Sequence, residues 1–577
     1  MIDWYVAPWV EDDWQITRRL TLNLGFRYDV TMAPYDQMNR LDIGFDPNMP
    51  NAVQAQITPD AISKLPQASN LTGGLLFAGV GGNPRGPFTT NYGDIQPRIG
   101  FAWQPMNRLV VRGGYGLFYT NFLTNSFIQQ LGFSANSPLV TSNDGGITPI
   151  PNVLSNPYPD GITQPTGSSL GSLTGIGTSF QTFNRNYKIP HSNQFSLGFQ
   201  YRVLHNGVFE ASYTGNRVMK FDSNQGGQNL PGGYPNGASD LNLPLWNSQE
   251  QCDEIYAHGD YSLCQKVAPN PFQGVPAFKG TSYYSASTYD VYDLSRPHPQ
   301  FQSVVQMGLN LGKSWYNGLV IAYNQRLTHG VTFGTSYTWS KQITQWGWMN
   351  QALNIPQRSP YINGLPKVFK FYGLFNLPFG RGQLINIQNK ITDAVVGGWQ
   401  FSPDFTVQSG EPAVLPLNAI PLAHNKFYKH PDWSKQQVRA WNGCVLNYNP
   451  NGAPTIPGGA NGVTAQQCGT DPANYDWLKV QTLPYEQANP TLSSSVRMKP
   501  TITSDAALQK TFHIYENITA TARLQATNVL NHFNILTAKF DANPNDPPNL
   551  FGTIIKGNVP TSDAPPRNVN VQFRVNF

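Results

Sequence analysis

Residues 317–341, NGLVIAYNQRLTHGVTFGTSYTWSK, carry the clearest strand pattern of this chain. In their second half, residues 331–339, mostly apolar and aromatic side chains alternate with glycine, serine and threonine. Successive side chains of a β-strand point to opposite faces, so this period of two predicts a strand with one apolar face. The first half alternates in the same way, and Thr328-His329-Gly330 suits a tight hairpin turn. The stretch therefore predicts an antiparallel strand pair whose second face carries small polar groups.

Two kinds of protein carry such a pair. In a soluble β-sandwich the apolar face packs on a core and the polar face meets water. In a transmembrane β-barrel the apolar face meets lipid and the polar face lines the lumen. About ten residues per tilted strand cross the hydrocarbon layer, and these strands have that length. The hairpin alone does not separate the two folds, so the organisation of the whole chain has to decide.

The composition favours the barrel. Charged residues make up 12% of the 577 residues and aromatic residues another 12%. The charged fraction is roughly half that of average soluble proteins. No apolar run approaches about 18 residues, so the sequence offers no membrane-spanning helix. A barrel needs apolar residues at only every second strand position, which fits a mean hydropathy of −0.36. The net charge of +5 is thinly spread and argues against nucleic acid as a partner.

The spacing of the strands also favours the barrel. Thirteen predicted strands lie at residues 4–16, 20–30, 95–103, 109–119, 195–203, 209–213, 319–327, 331–339, 369–377, 399–407, 508–512, 518–526 and 568–577. Short turns alternate with long Gly-, Pro- and Asn-rich segments, and outer-membrane barrels have this asymmetry. We therefore predict an all-β antiparallel transmembrane barrel over residues 1–577, with short periplasmic turns and long extracellular loops.

The amino terminus and the strand count predict that further sequence precedes this chain. Met1-Ile2-Asp3-Trp4 has neither the basic nor the apolar region of a signal peptide, which an outer-membrane protein requires. Bacterial single-chain barrels have an even number of antiparallel strands, whereas thirteen is odd. We expect at least one strand upstream of Met1 and an open or incomplete barrel here.

Several blocks of sequence resemble one family. They are EDDWQITRRLTLNLGFRYD (11–29), PRIGFAWQP (97–105), LVVRGGYGLFY (109–119), ASYTGNR (211–217), YNQRLTHGVTFGTSYTWSK (323–341), LPFGRG (377–382), VVGGWQFSPDFTVQSGEP (395–412) and LQATNVLNHFN (524–534). In this order they are similar to TonB-dependent outer-membrane receptors of the Oar-like type, which carry a carboxypeptidase-regulatory-like domain. The final strand ends on Phe577, which resembles the signal by which the barrel assembly machinery recognises outer-membrane barrels.

The resemblance implies a barrel of about 22 strands filled by a plug domain. It also implies an amino-terminal β-sandwich domain and energy supplied through the TonB complex. Thirteen strands would then be the carboxy-terminal part of the barrel. Nothing in residues 1–577 resembles the plug, the segment that contacts TonB, or the sandwich domain. The resemblance therefore implies the barrel portion of a receptor at the bacterial outer membrane, surrounded by outer-membrane lipid.

The polar faces of the strands carry the charged residues. Nine of them are predicted to face the lumen or the plug: Arg27, Asp29, Arg98, Arg112, Arg202, Arg326, Asp404, Arg523 and Arg574. Ion pairs that brace the wall or dock the plug are the favoured interpretation, and contacts to substrate are the alternative.

The long loops supply a second set of candidates. Six loop aromatics are predicted to be exposed and able to stack on sugars or peptides, although they could equally pack the loops together: Tyr283, Tyr284, Tyr289, Tyr292, Trp346 and Trp348. Cys252 with Cys264 and Cys444 with Cys468 each fall inside one loop, which suits two disulfides at an oxidising surface. Four free thiols are the alternative.

The sequence contains no enzyme signature. No nucleophile motif has a strand–turn–helix context, and the nine His residues lack metal-binding spacing, so we expect neither catalysis nor a metal or cofactor. The predicted function is a receptor that binds a bulky substrate and moves it across the outer membrane. The rival is a surface adhesin or scaffold protein anchored by the same barrel.

Overall fold

The structure is a computed structural model. It describes residues 2–120, 130–137, 139, 142, 147–148, 155–156, 158, 161–203, 206–221, 239–242, 267–294, 296–328, 330–350, 355–361, 364–414, 419–421, 437–439, 443–445, 477–479, 489–515, 518–532, 538–540, 553–556 and 566–577. Strands dominate these ranges. None of the helices in them has the length and apolar character that crossing a membrane demands.

Thirteen strands form the main sheet. They are β1 (Tyr5–Val6 and Trp9–Thr17), β2 (Leu20–Thr31), β3 (Asn91–Met106), β4 (Leu109–Tyr119), β5 (His191–Val203), β6 (Gly207–Phe221), β7 (Gly312–Thr328), β8 (Val331–Asn350), β9 (Lys367–Asn376), β10 (Trp399–Gln408), β11 (Thr501–Tyr515), β12 (Ile518–Thr527) and β13 (Asn568–Asn576). Pro8 divides β1, because proline cannot donate to a ladder and is accommodated at a sheet edge. The thirteen predicted strands are confirmed.

Every strand pairs antiparallel with the next one in the chain, from β1 through to β13. Among the described residues no hydrogen-bonded ladder joins β13 back to β1. All residues of Trp9–Thr17 and Asn568–Asn576 are exposed. The sheet is therefore a single meander with two free edges, as the prediction of an open or incomplete barrel requires.

The two faces of the sheet differ as the alternation predicts. Large apolar side chains stand exposed on one face, among them Ile99 (55%), Leu197 (56%) and Trp339 (60%). In the ladders Leu197 lies opposite Tyr213, and Trp339 lies opposite Leu319. Water would make such a surface costly at about 25 cal/mol per Å², whereas lipid makes it favourable.

The predicted asymmetry, with short turns at one end of the sheet and long loops at the other, is confirmed with one exception. Turns of a few residues join most strand pairs at one end, and the hairpin between β7 and β8 is of this kind. The connection from β9 to β10 lies at the same end but spans residues 377–398 and contains the helix Lys390–Val396. The loop from β8 to β9 is shorter because β8 continues to Asn350, eleven residues beyond the predicted strand.

Three long loops at the opposite end pack into one body, here called the cap, made of the described parts of residues 32–90, 130–190 and 239–311. Its strands are Asp42–Pro50, Thr72–Phe77, Phe180–Phe183, Ser239–Asp240, Val267–Pro269, Thr288–Asp290 and Val304–Met307. Its helices are Ala52–Gln56, Pro59–Lys64, Pro66–Ser69, Gly171–Leu173, Pro276–Phe278, Ser282–Ser285 and Val291–Leu294.

The cap has a hydrophobic core of its own, and all three loops contribute to it. Val53, Phe180, Phe272 and Phe301 are 0–2% exposed and belong to one cluster. The third loop supplies Val304–Met307 as a strand parallel to Phe180–Phe183 of the second loop. Long-range packing rather than strand periodicity therefore holds this part of the molecule together.

The remaining connections contain short paired strands. They are Ile355–Pro360 beside β8, Phe379–Gly380 with Ile385–Asn386, Pro412–Val414 with Leu492–Arg497, Ala419–Pro421 and Gly443–Val445 with Trp477–Lys479, and Gln437–Arg439 and Ala538–Phe540 with Thr553–Lys556. Buried hydrogen bonds between Gln357 and Thr491, at 2.9 and 3.1 Å, tie two of these loops together.

Candidate functional site

The ladder register places the predicted inward-facing residues on one face of the main sheet. Residues directly opposite each other in a ladder share a face, and Arg98 lies between Gly25 and Gly116 on its two neighbouring strands. At the other edge Arg523 lies between Gln509 and Gln572. The remaining members fall on the same face by register or alternation: Arg27, Asp29, Arg112, Arg202, Arg326, Asp404 and Arg574.

Only part of this set comes together in space. Arg27 donates from Nε to Asp29 Oδ1 at 2.7 Å, and Asp29 is 2% exposed. Tyr5 on the edge strand donates to Asp29 Oδ2 at 2.6 Å and accepts from Arg27 at the same distance. The three side chains form a closed hydrogen-bonded group at the cap end of β1 and β2. Such a group braces the wall, which is the favoured interpretation of these charges.

A second polar group lies beside the first and escapes the sequence analysis. Asp94 is directly opposite Asp29 in the ladder, and both Asp94 and Gln96 are at most 2% exposed. Asn91 donates to Asp94 Oδ1 at 2.6 Å, and Gln96 accepts from the Tyr119 backbone at 3.1 Å. The predicted strand begins at Ile95, so Asp94 was omitted, although it continues the alternation of polar positions.

These two groups make the candidate functional site. Asp94 Oδ2 and Gln96 Nε2 are buried and have no hydrogen-bond partner in the described part of the chain. Buried polar atoms nearly always have a partner, so an acceptor and a donor aimed into the interior invite water or a polar solute. The site lies on the inner face where β2 and β3 meet the cap, and it suits recognition of a hydrogen-bonding molecule.

Arg98 lies next along the same face. Its guanidinium stacks over the Phe118 ring at 4.8 Å, and Gly25 and Gly116 flank it. The other charged members stand on separate strands. Asp404 lies opposite Asp505 in the ladder, so like charges face each other there rather than an ion pair.

The aromatic loop candidates lie in different environments. Tyr283 was predicted to be exposed but is 0% exposed, because it packs on Phe272 and Phe278 in the cap core. Tyr289 stacks on Tyr283 with ring centroids 4.3 Å apart, whereas Tyr284 is 36% exposed. Tyr283 and Tyr289 therefore hold the loop together, which is the alternative role that the sequence left open.

The other three candidates are Tyr292, Trp346 and Trp348. Tyr292 belongs to the helix Val291–Leu294, but its side chain lies outside the described residues. Trp346 and Trp348 were predicted to lie in a loop, and this is wrong, since β8 runs through both as a strand. Both side chains are half-buried. The predicted strand ends at residue 339 because the alternation weakens beyond it, whereas ladder pairing continues to Asn350.

A polar node connects the loops of the cap. Asn242 is fully buried and donates to the carbonyl oxygens of His298, Phe301 and Gln302 at 2.8–3.1 Å. His298 donates from Nδ1 to the Thr72 carbonyl oxygen at 2.7 Å. Burial lowers the pKa of the His298 imidazole, so the ring stays neutral at physiological pH.

The remaining predicted residues receive no structural test. Cys252, Cys264 and Cys468 lie outside the described residues, and the side chain of Cys444 in the strand Gly443–Val445 is not described either. Phe577 follows β13 and is 95% exposed, which leaves it open to a partner. In the described ranges no three His, Cys, Asp or Glu side chains group closely enough to hold a metal ion.

The chain matches the family model described as "Outer membrane beta barrel domain" over residues 1–570. No curated protein matches it. Among solved structures it is similar to the ferripyoverdine receptor of the outer membrane of Pseudomonas aeruginosa, with 8% identity and a TM-score of 0.35, over 99% of this chain and 38% of that one.

Two further structures show the same kind of likeness. The ferric-catecholate import receptor Fiu from Escherichia coli K12 is 10% identical, with a TM-score of 0.34, over 99% of this chain and 44% of that one. The FrpB iron transporter from Neisseria meningitidis is 11% identical, with a TM-score of 0.32, over 97% of this chain and 53% of that one. This chain spans about two fifths to one half of the length of these proteins. With its antiparallel meander and its match over residues 1–570, the chain belongs to the outer membrane beta barrel domain family.

Proposed function

We propose that this chain is the barrel part of a TonB-dependent receptor of the Oar-like type, which binds a bulky substrate and moves it across the outer membrane without catalysing a reaction. The observation that supports this most is the joint presence of a polar inner face and a packed cap over one end of it. A protein that only needed a membrane anchor would require the sheet but not a polar interior under a structured cap.

The site suggests how capture would begin. Movement of the cap away from the wall would open Asp94 and Gln96 to a substrate, and their unpaired polar atoms would then bond to its hydrogen-bonding groups. Arg98 adds a positive charge on the same face. Passage would follow displacement of a plug domain driven by the TonB complex. We propose the plug domain and the TonB complex as partners of this chain. We also propose that the barrel assembly machinery recognises Phe577.

The two free sheet edges support the domain proposal. We propose that residues 1–577 form the carboxy-terminal part of a larger barrel, with the plug and a β-sandwich domain supplied by other sequence. Strand edges with unpaired backbone groups are not tolerated in the hydrocarbon layer, so each free edge needs a further strand. Sequencing of the DNA upstream of Met1 tests this, and a frame without plug or signal sequence would contradict it.

Energised uptake separates the receptor from its rival. A host strain and a strain lacking this gene would be supplied with isotope-labelled peptide digests and labelled oligosaccharide pools, each with and without a protonophore. A receptor predicts gene-dependent uptake of one pool that stops when the proton-motive force collapses. Gene-dependent association that survives the protonophore would instead identify the adhesin or scaffold. No gene-dependent association with either pool would contradict both functions.

A further inference from the structure

The connection between β9 and β10 has a compact structure of its own, although it lies at the end of the short turns. Phe379–Gly380 pairs with Ile385–Asn386, and a helix follows at Lys390–Val396. Asn389 caps the helix by accepting from the backbone of Ile391 and Thr392. A tight turn would join these two strands with far fewer residues, so the additional structure calls for a role.

The helix lies on the outward, apolar side of the sheet. Trp399 and Lys510 are opposite each other in the ladder between β10 and β11, on the same face as the apolar pair Phe401 and Leu508. Trp399 donates from Nε1 to the carbonyl oxygen of Val395 at 2.9 Å. Lys510 donates to the carbonyl oxygen of Ala394 at 2.6 Å. The last turn of the helix is thus fastened to the face that meets lipid.

This contact also explains a lysine on the apolar face. Lys510 is 4% exposed, and its ammonium group lies 5.1 Å from the Phe512 ring centre. An ammonium group facing acyl chains alone would be costly, whereas the carbonyl oxygens at the carboxyl end of a helix suit a positive charge. The helix therefore covers Lys510 at the rim of the sheet.

The side of this segment that faces away from the sheet is apolar. Leu384 is 91% exposed, Ile391 79% and Val395 65%. Ile391 and Val395 are four residues apart and share one side of the helix. Asp393 lies on the opposite side, where its Oδ1 accepts from the Arg381 backbone at 3.0 Å. The segment thus turns the Asp393 carboxylate toward its own backbone and its large aliphatic side chains outward.

We propose that residues 378–398 form a lipid anchor that lies in the boundary between head groups and acyl chains of the periplasmic phospholipid leaflet. The apolar surface is continuous with the lipid-facing side of β11, where Phe512 is 39% and Ile514 61% exposed at the same end. A short amphipathic helix beside such a belt lies in the interface plane, with its apolar side in the acyl region. Lys390, exposed on the helix, reaches toward phosphate groups.

Photo-crosslinking in the full chain, in its native outer membrane, tests the anchor. Ile391→p-benzoylphenylalanine and Val395→p-benzoylphenylalanine place the probe on the apolar side, and Thr392→p-benzoylphenylalanine is the matched control around the same helix. Phe401→p-benzoylphenylalanine reports contact of the sheet itself with lipid. Mass spectrometry identifies each adduct, and heat-dependent electrophoretic mobility confirms that each variant is folded.

We expect phospholipid adducts at residues 391 and 395 in several-fold higher yield than at residue 392, and comparable to residue 401. Adducts with a protein at 391 and 395 would overturn the proposal, because the segment would then be a docking surface for a periplasmic partner. Lipid adducts at 401 alone would overturn it too, since the helix would lie in water. If the variant at residue 391 or the variant at residue 395 does not fold, the adducts of the other one still distinguish lipid from protein or water.

Discussion

The cap and the main sheet use similar apolar side chains in opposite ways. In the cap, Phe272, Phe278 and Phe301 are completely buried. In the sheet, Leu197 and Trp339 are more than half exposed. The cap folds in water and places its apolar groups inside, whereas the sheet has lipid as its solvent and needs no inner core. The surrounding solvent therefore decides which side of a strand or loop is apolar.

Removal of a ring from the cap core should have the largest effect. Phe272→Ala removes a fully buried ring that contacts Phe278 and Tyr283, and loss of a buried Phe costs about 3–5 kcal/mol. Hydrogen exchange should accelerate throughout residues 267–294 while the sheet amides stay protected. Phe401→Ala, at a position 37% exposed on the lipid face, is the control and should leave the exchange of the cap unchanged.

A charge on the outward face of the sheet should have the next largest effect. Leu197→Arg places a guanidinium among acyl chains at about 2–4 kcal/mol near the midplane. Ser196→Arg, on the neighbouring inward-facing position, should cost little. Urea unfolding in phospholipid vesicles measures both free energies. If the two variants lost equal stability, the assignment of the faces to lipid and lumen would be wrong.

Loss of the polar node around Asn242 should destabilise the cap by a smaller amount. Asn242→Ala removes the side-chain donor to the Phe301 and Gln302 carbonyl oxygens and the acceptor of the His298 N–H, whereas the His298 carbonyl oxygen keeps the Phe301 N–H. Each buried group left unsatisfied costs about 1–3 kcal/mol before water enters. Limited proteolysis of the cap loops should accelerate. Asn48→Ala, at an exposed position in another loop of the cap, is the control and should leave the proteolysis rate unchanged.

The smallest expected effect depends on pH. Burial raises the pKa of Asp42, in the cap strand Asp42–Pro50, to about 7, although a hydrogen bond from the Leu131 backbone lowers it. Between the ordinary value of 3.8 and about 7, the folded cap keeps a proton that the unfolded chain loses. The free energy of unfolding of the cap should therefore fall as the pH rises through this window.

Asp42→Asn removes this titration and should make the cap less sensitive to pH. The measurement is the ratio of proteolysis rates for the variant and the parent chain, taken at pH 5 and pH 8 so that changes in the protease cancel. The ratio should be lower at pH 8, where the parent cap carries a buried charge. An unchanged ratio would mean that the Asp42 carboxyl is solvated.

The sheet was predictable because strand alternation is a local property. Val331 and Phe333 are two residues apart, so their side chains lie on the same face of any strand that contains them. The alternation of apolar and polar residues therefore predicted the order of the thirteen strands and the common face of Arg27 and Arg574. The error at Trp346 and Trp348 arose where the alternation weakens, although the ladder partner still extends the strand.

The candidate site was only half predictable. Arg27 and Asp29 show the alternation clearly, but Tyr5 and Asp94 join them only because β1 and β3 pair with β2 on either side. Tyr283 was predicted to be exposed because loop residues carry no period that separates buried from exposed positions. Its burial depends on Phe272 and Phe278 folding back over it.

The sequence by itself determined the fold class, the antiparallel strand order and the apolar and polar faces, because all three depend on a repeat of two residues. Only the tertiary structure decided that three loops share a core, that Asp29 faces Asp94, and that a helix covers Lys510. Those features depend on contacts between residues far apart in the chain, and no local pattern encodes which of many apolar loop residues will meet.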